Sequence, residues 1–123
     1  MKQEKNILHL NFFTGIFSYF MKKIIYHGEE SNLFTAGTFS RYLERINCGL
    51  IGRAISHPET TGEKILHSSY FHSETGLRID YLFNERDREG PITVIATGTG
   101  DKISLFERTV LDESEKLKKK LQS

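Results

Sequence analysis

Tryptophan is absent from this chain, and cysteine occurs only once. Without tryptophan, the core has to be built from nine phenylalanines, five tyrosines and β-branched aliphatic residues, a mixture that favours a sheet. The single cysteine, Cys48, excludes an intrachain disulfide and a cysteine-based zinc cluster. A protein without disulfides is typical of a reducing compartment, so we expect a cytoplasmic location.

Neither sign of charge dominates, since 17 lysines and arginines face 16 aspartates and glutamates and leave a formal net charge of +1. No overall field therefore favours nucleic acid or an acidic membrane, and any anion site has to be local. Internal repeats, low-complexity tracts and long linkers are also missing from the 123 residues. The sequence therefore predicts a single domain over residues 21–123.

A membrane-spanning helix needs roughly twenty apolar residues, and the apolar stretch 7–20 is shorter than that. It resembles a signal peptide only superficially, because Glu4 dilutes the basic start while His9 and Asn11 interrupt the apolar run. We interpret residues 1–20 as an N-terminal extension. It could be a strand that turns at residues 14–15, a packed helix, or an upstream start ahead of Met21.

A β-hairpin over residues 64–85 is the strongest structural signal. Its second half alternates apolar and polar residues with the period of two expected of a strand with one buried side. The apolar positions are Leu77, Ile79, Tyr81 and Phe83. The polar loop 73–76 ends in Gly76, which tolerates a positive φ. The resulting register pairs His72 with Leu77, Tyr70 with Ile79, Ser68 with Tyr81 and Leu66 with Phe83.

Two further strands and a helix are expected before this hairpin. Residues 23–27 predict a buried strand, and residues 50–57 predict a strand that Gly52 weakens or bulges. The helix between them has apolar residues at helical spacing, namely Phe39, Tyr42, Leu43 and Ile46. Thr38 is its expected N-cap, and Gly49 is its expected C-terminal glycine.

After the central hairpin, residues 92–96 and 103–105 alternate and predict a second hairpin that turns at residues 98–101. A C-terminal helix should begin at Asp112, because Glu115 completes a capping-box pattern and lysines gather at its end. The expected fold is α+β: a mostly antiparallel sheet of about five to six strands, one helix after the first strand and a C-terminal helix.

The sequence around Gly98 and Gly100 invites a phosphate-binding interpretation, since glycine-rich loops direct backbone N–H groups at anions. Phosphate loops lead from a strand into a helix, whereas this one is expected to lead from strand to strand, so an ordinary turn is favoured. Cys48 is also a poor nucleophile candidate, because it lies at a helix C-terminus, where the dipole disfavours a thiolate.

A polar cluster of His57, His67, Ser69 and Asp80 is the second candidate site. In the predicted register Asp80 lies opposite Ser69 and on the face of His67, so these residues could serve nucleophilic chemistry. Strands offer neither the strained turn nor the oxyanion donors of acyl transfer, and too few ligands converge for a metal. We therefore expect no metal, no cofactor and, on balance, no catalysis.

The arginines are the first candidate site. Arg41 and Arg45 share one helix face, Arg53 follows soon after, and Arg78 lies beside Phe71 on the polar side of the hairpin. Brought together by the fold, these residues would form a small basic patch suited to a nucleotide, RNA or an acidic partner.

Three functions follow from these observations. The first is a small non-catalytic binding module of regulatory, inhibitor, immunity or accessory type, which acts through protein–protein contacts and self-association. The second is a nucleotide- or RNA-binding protein that uses the arginine patch. The third, a membrane-associated accessory protein anchored by residues 7–20, is the least expected.

Overall fold

A computed structural model describes residues 20–28, 34–57 and 62–122. The described residues form a two-layer α+β domain with five antiparallel strands and two α-helices. The elements are β1 (Phe20–His27), α1 (Ala36–Arg45), β2 (Cys48–Ser56), β3 (Ile65–His72), β4 (Leu77–Asn84), β5 (Thr93–Thr99) and α2 (Gly100–Gln122), with a 3₁₀ turn at Glu85–Asp87. The sheet order is β1-β5-β4-β3-β2. This architecture confirms the α+β fold expected from the sequence.

The central hairpin has the register that the sequence predicts, with His72 paired to Leu77 and Tyr70 to Ile79. All four apolar positions of β4 are buried. They lie under α1 and α2, which cover the same face of the sheet and share one core with it. Phe39 of α1 contacts Tyr81 of β4 edge-to-face, with ring centroids 5.5 Å apart. The period-two pattern of β4 therefore identified the helix-covered face.

Helix α1 starts three residues earlier than expected. Thr35 is the N-cap, and its hydroxyl accepts from the Thr38 N–H, while the Thr38 hydroxyl accepts from the Thr35 N–H. Thr38, the predicted cap, is thus the inner member of a capping box. At the other end, Asn47 rather than Gly49 has the left-handed conformation, with φ of 69°. Gly49 already belongs to β2.

The two edge strands differ from each other. Strand β1 pairs only with β5 among the described strands. The strand predicted over 23–27 is confirmed, but its predicted burial is wrong, because Lys23, Ile24 and His27 are exposed. Strand β2 pairs with β3 and shifts register between Leu50 and Gly52, which confirms the expected bulge.

The predicted second hairpin is wrong. Strand β5 runs to Thr99 and passes directly into α2, so the C-terminal helix begins at Gly100 instead of Asp112. Ile103, Phe106 and Val110 are buried at helical spacing, whereas Leu105 is exposed. The place beside β5 that the predicted strand would have taken is filled by β1.

The start of α2 also bears on whether residues 98–101 could bind phosphate. The chain leads here from a strand into a helix, as phosphate loops do, so the predicted strand-to-strand turn is wrong. The Asp101 carboxylate, however, lies in the first turn of α2, where the Thr99 hydroxyl and nearby backbone N–H groups keep its pKa below the ordinary value. The helix N-terminus is thus already capped by an anionic side chain.

Neither α1 nor α2 combines the length and the apolar composition that crossing a membrane requires. The expectations for residues 1–19, including the membrane anchor proposed for residues 7–20, lie outside the described residues apart from the backbone of Phe20.

Replacing Ser104 by proline tests the position of α2. Ser104 is exposed on the second turn, so Ser104→Pro removes a helical hydrogen bond without disturbing the core, and we expect a loss of about 3 kcal/mol or more. Urea denaturation measures this loss. Ser104→Ala is the matched control and should be as stable as the wild type, or slightly more so. Equal stability of the two variants would contradict a helix at this position.

Candidate functional site

A polar network centred on Asp80 lies on the sheet face opposite the helices. Its carboxylate accepts from Ser69 Oγ at 2.5 Å and from His67 Nε2 at 2.8 Å, both on Oδ1. Arg78 Nε lies 3.1 Å from Oδ2, and Arg78 Nη2 also donates to Ser69 Oγ at 3.1 Å. Three of the four residues of the predicted polar cluster are therefore in contact, and Arg78 joins them.

This network makes Asp80 a buried, ionised carboxylate. Burial by itself raises the pKa of Asp80, but the hydrogen bonds from Ser69, His67 and Arg78, together with the charge of Arg78, outweigh burial and lower the net pKa below the ordinary 3.8. Only 6% of the residue is exposed. An acidic side chain at such depth is tolerated because both of its carboxylate oxygens accept hydrogen bonds and a guanidinium charge lies beside it.

The order of the hydrogen bonds differs from that of a nucleophilic triad. In a triad the histidine lies between the hydroxyl and the carboxylate and removes the hydroxyl proton. Here Asp80 lies between them, and Ser69 donates to Asp80 instead of to His67. Ser69 therefore has no general base within the network, which supports a role in binding or stability over nucleophilic catalysis.

His57, the fourth member of the predicted cluster, lies apart from the network. Ala54 is the residue paired with His67 across the two strands, and His57 follows the end of β2, where it is exposed. Within residues 20–28, 34–57 and 62–122, no group of three or more His, Cys, Asp or Glu side chains could hold a metal ion.

The fold divides the predicted arginine patch. Arg78 and the neighbouring Phe71 are on the open face of the sheet. Arg45 is at the end of α1, 2.6 Å from the Glu113 carboxylate of α2 and over the ring of Tyr42. Arg53 belongs to β2 and its side chain is on the helix side of the sheet, as shown by its pairing with Ser68.

Arg53 lines a cavity of about 750 Å³ between the N-terminal half of α1 and strands β2–β4. Arg41 lies close to it, since its Nη1 is 3.8 Å from where a Cβ would stand on Gly37, and Gly37 is part of the cavity wall. A further arginine, Arg88, lines the cavity from the turn after β4. Of the four predicted arginines, one thus lines this cavity and a second lies beside its wall, and Arg88, which was not predicted, also lines it.

Two residues at this cavity, Arg88 and Ser40, could not be recognised as site residues from the sequence pattern. Arg88 belongs to a charged turn, where an arginine is ordinarily solvated, and a single serine on a helix, such as Ser40, is ordinarily solvated too. The hydroxyls of Ser40 and Tyr70 are 2.8 Å apart beside the cavity. Only the alternation of β3 and β4 pointed to this arrangement, because it places Ser68, Tyr70 and Tyr81 on one face.

The open face of the sheet carries another cavity of about 250 Å³, lined by His67, Arg78 and Asp80 together with Lys22, Thr97 and two aliphatic residues. Ile24 and Phe71 are exposed on this face, with 61% and 40% of their surface accessible. No described helix covers it, because both helices pack on the other side.

Cys48 is buried where α1 passes into β2, and burial raises the pKa of its thiol to about 11. The thiol is therefore protonated at neutral pH and is a poor nucleophile.

The chain matches no protein-family model, and no curated protein or solved structure is significantly similar to it. The function of the protein therefore has to be inferred from the residues of the chain itself.

Replacing Asp80 by asparagine tests the polar network. The folded-state pKa of Asp80 is depressed, so its carboxylate stabilises the fold above pH 3.8, and this contribution disappears as the pH falls through the lower folded value. We expect Asp80→Asn to lose roughly 1–3 kcal/mol at pH 7, because its donors lose a charged acceptor. Urea denaturation from pH 7 to pH 2.5 measures the loss, which should shrink below pH 4.

Asp112→Asn is the matched control, because Asp112 is exposed on α2. It should change stability by no more than about 0.5 kcal/mol. An Asp80→Asn loss that is small at neutral pH, or that grows in acid, would contradict the depressed pKa.

The reactivity of Cys48 provides a separate check of burial. With a pKa of about 11, roughly one thiol in a thousand is ionised at pH 8. We expect slow reaction of the native protein with an aromatic disulfide reagent and rapid reaction in 6 M urea. A Cys48→Ser, Ser104→Cys variant supplies an exposed thiol for comparison. Equally fast reaction of the two native proteins would contradict the buried position.

Proposed function

We propose that this protein is a small non-catalytic binding module of regulatory or accessory type, that it acts through protein–protein contacts, and that its partner is a second copy of the same chain. The observation that carries the proposal is the outer edge of β2. Every residue of β2 after Cys48 is exposed, and within the described part of the chain β2 pairs only with β3.

The side chains along β2 are those of a contact surface. Its exposed aliphatic residues are Leu50, Ile51 and Ile55, with 45%, 57% and 57% of their surface accessible. A strand edge offers a row of backbone donors and acceptors to another strand, and natural proteins usually protect such edges with lysines and bulges. Arg53 is the one charged residue of β2.

The other edge of the sheet supports the choice of β2. Strand β1 carries the adjacent, exposed lysines Lys22 and Lys23 and shifts register between Ile24 and Tyr26. Lys23 is also tied to Glu107 of α2 at 2.8 Å. Both edge strands carry a bulge, but β1 has exposed lysines and β2 has none, which favours association through β2 alone; such an association closes as a pair instead of growing into a fibre.

A second copy is the partner that suits this edge without further assumptions. Antiparallel pairing of β2 with itself about a two-fold axis gives each chain the same donors, acceptors and aliphatic residues. The bulge between Leu50 and Gly52 interrupts the edge, so the regular part available for pairing runs from Gly52 to Ser56, and the exposed Ile51 lies directly beside its first residue.

The nucleotide- or RNA-binding alternative is less well supported in its original form. It requires Arg41, Arg45, Arg53 and Arg78 on one surface, whereas Arg78 is on the opposite face of the sheet and Arg45 pairs with Glu113. The cytoplasmic location stays a prediction of the sequence.

The test is light scattering coupled to size-exclusion chromatography over a wide concentration range. We expect the wild type to form a dimer whose proportion rises with concentration, and Ile51→Lys to be monomeric at the same concentrations. A lysine at this position adds a charge that two copies would have to bury against each other.

Leu121→Lys is the matched control, because Leu121 is an exposed apolar residue at the end of α2 with 72% of its surface accessible. It should leave the dimer unchanged. A wild type that stays monomeric at its highest soluble concentration would overturn self-association through β2. Equal weakening by both substitutions would point to unspecific apolar contact instead.

A further inference from the structure

The cavity beside α1 has a charge that suits an anion. Among the residues that line it are two arginines, Arg53 and Arg88, and no aspartate or glutamate. Arg41, beside Gly37, adds a third guanidinium nearby. Since the whole chain carries a net charge of only +1, this concentration of arginines is local and does not follow from composition.

The ionic contacts of the two arginines that line the cavity distinguish them from the other arginines of the predicted patch. Within the described ranges, neither Arg53 nor Arg88 forms an ion pair, in contrast to Arg45 and Arg78, which are paired with carboxylates. Arg88 is held by a different contact, with its guanidinium carbon 6.0 Å from the centroid of the Phe83 ring. This contact places the planar group beside the cavity, and among the described residues no side-chain acceptor is bonded to it.

The inner end of the cavity is lined with hydroxyl groups. Ser40, Ser68 and Tyr81 all line it, and burial raises the pKa of the Tyr81 phenol. Ser40 is in turn bonded to Tyr70. Hydroxyls both donate and accept, so this cluster can complete the coordination of an oxygen-bearing group that the arginines contact.

The rest of the wall is apolar. Leu66, Phe83 and Ile55 line the cavity together with Ala36 and Ala54. The volume of about 750 Å³ falls within the range of small-molecule sites, which typically combine apolar walls with a few convergent polar groups. A bare inorganic anion would leave most of this space and its apolar surface without contacts.

We infer that the cavity between α1 and strands β2–β4 binds a small organic anion with an apolar or aromatic body. Arg53 and Arg88 contact its phosphate, carboxylate or sulfonate group, and Leu66 and Phe83 contact its body. Guanidinium groups bind such oxyanions through paired N–H donors. This site goes beyond the proposed self-association. It shares Arg53 and Ile55 of β2 with the proposed interface, whereas Ile51 does not line it, so a substitution at Ile51 distinguishes the two.

The test uses two fluorescent probes that differ in one charged group. The anionic probe is 1-anilinonaphthalene-8-sulfonate, and the neutral probe is N-phenyl-1-naphthylamine, which lacks the sulfonate. We expect saturable binding of the anionic probe with one site per chain. Arg53→Gln and Arg88→Gln should each weaken that binding by about tenfold and leave the neutral probe unaffected.

Two variants serve as controls. Arg108→Gln removes the same charge from an exposed position on α2, outside the cavity, and should bind both probes as the wild type does. Ile51→Lys should also keep probe binding, which separates this site from the edge of β2. A thermal unfolding measurement on each variant shows whether it is folded at the temperature of the binding experiment, so that probe fluorescence caused by unfolding can be recognised.

Competition identifies the anionic group. Phenyl phosphate or benzoate should displace the anionic probe, the stronger competitor revealing whether a phosphate or a carboxylate is preferred, and the neutral benzyl alcohol should not. The inference is overturned if neither anion displaces the probe, if benzyl alcohol displaces it equally well, or if Arg108→Gln weakens binding as much as the cavity variants do.

Discussion

The structure depends on the burial of one face of the central strand β4. Leu77, Ile79 and Tyr81 lie beneath the two helices, and the aromatic contact between Tyr81 and Phe39 joins the sheet to α1. Burying an apolar face of this kind is the largest favourable contribution to folding. Since a shift of one residue would turn this face to the solvent, the same contact fixes the register of β3 and β4.

The two faces of the sheet consequently have different chemistry. On the helix side, α1 covers the strands incompletely and leaves a cavity where hydroxyl groups, apolar walls and two arginines meet. On the open side, Asp80 is kept ionised by Ser69, His67 and Arg78. Among the described residues, the arginines of the cavity form no ion pair and can bind a ligand, whereas the donors around Asp80 are used within the protein. This difference is why we assign ligand binding to the helix side.

The local features of the fold could be predicted from the sequence, and the long-range ones could not. The hairpin register, the bulge at Gly52 and the proximity of Ser69 to Asp80 follow from alternation and from neighbours in sequence. The second hairpin failed because Ile103 and Leu105 alternate over too few residues to separate a strand from a helix. Ile103, Phe106 and Val110 carried the competing helical signal.

The candidate sites show the same division. The sequence indicated Arg53 and the trio of His67, Ser69 and Asp80, because residue types and the alternation of side chains along a strand can be determined from sequence alone. It could not show that Arg45 would pair with Glu113, that His57 would lie beyond the polar network, or that Arg88 would reach the cavity. Each of these outcomes depends on how α1, α2 and the turn after β4 are positioned against the sheet.

By itself, then, the sequence determined the class of fold, the buried face of β4 and the pairing of β3 with β4, since periodicity and short turns act over a few residues. Only the tertiary structure decided that β1 pairs with β5, that α2 begins at Gly100 and that the arginines separate. The physical reason is that β1 and β5 are about seventy residues apart in the chain, and their pairing is selected by the burial that the complete core provides.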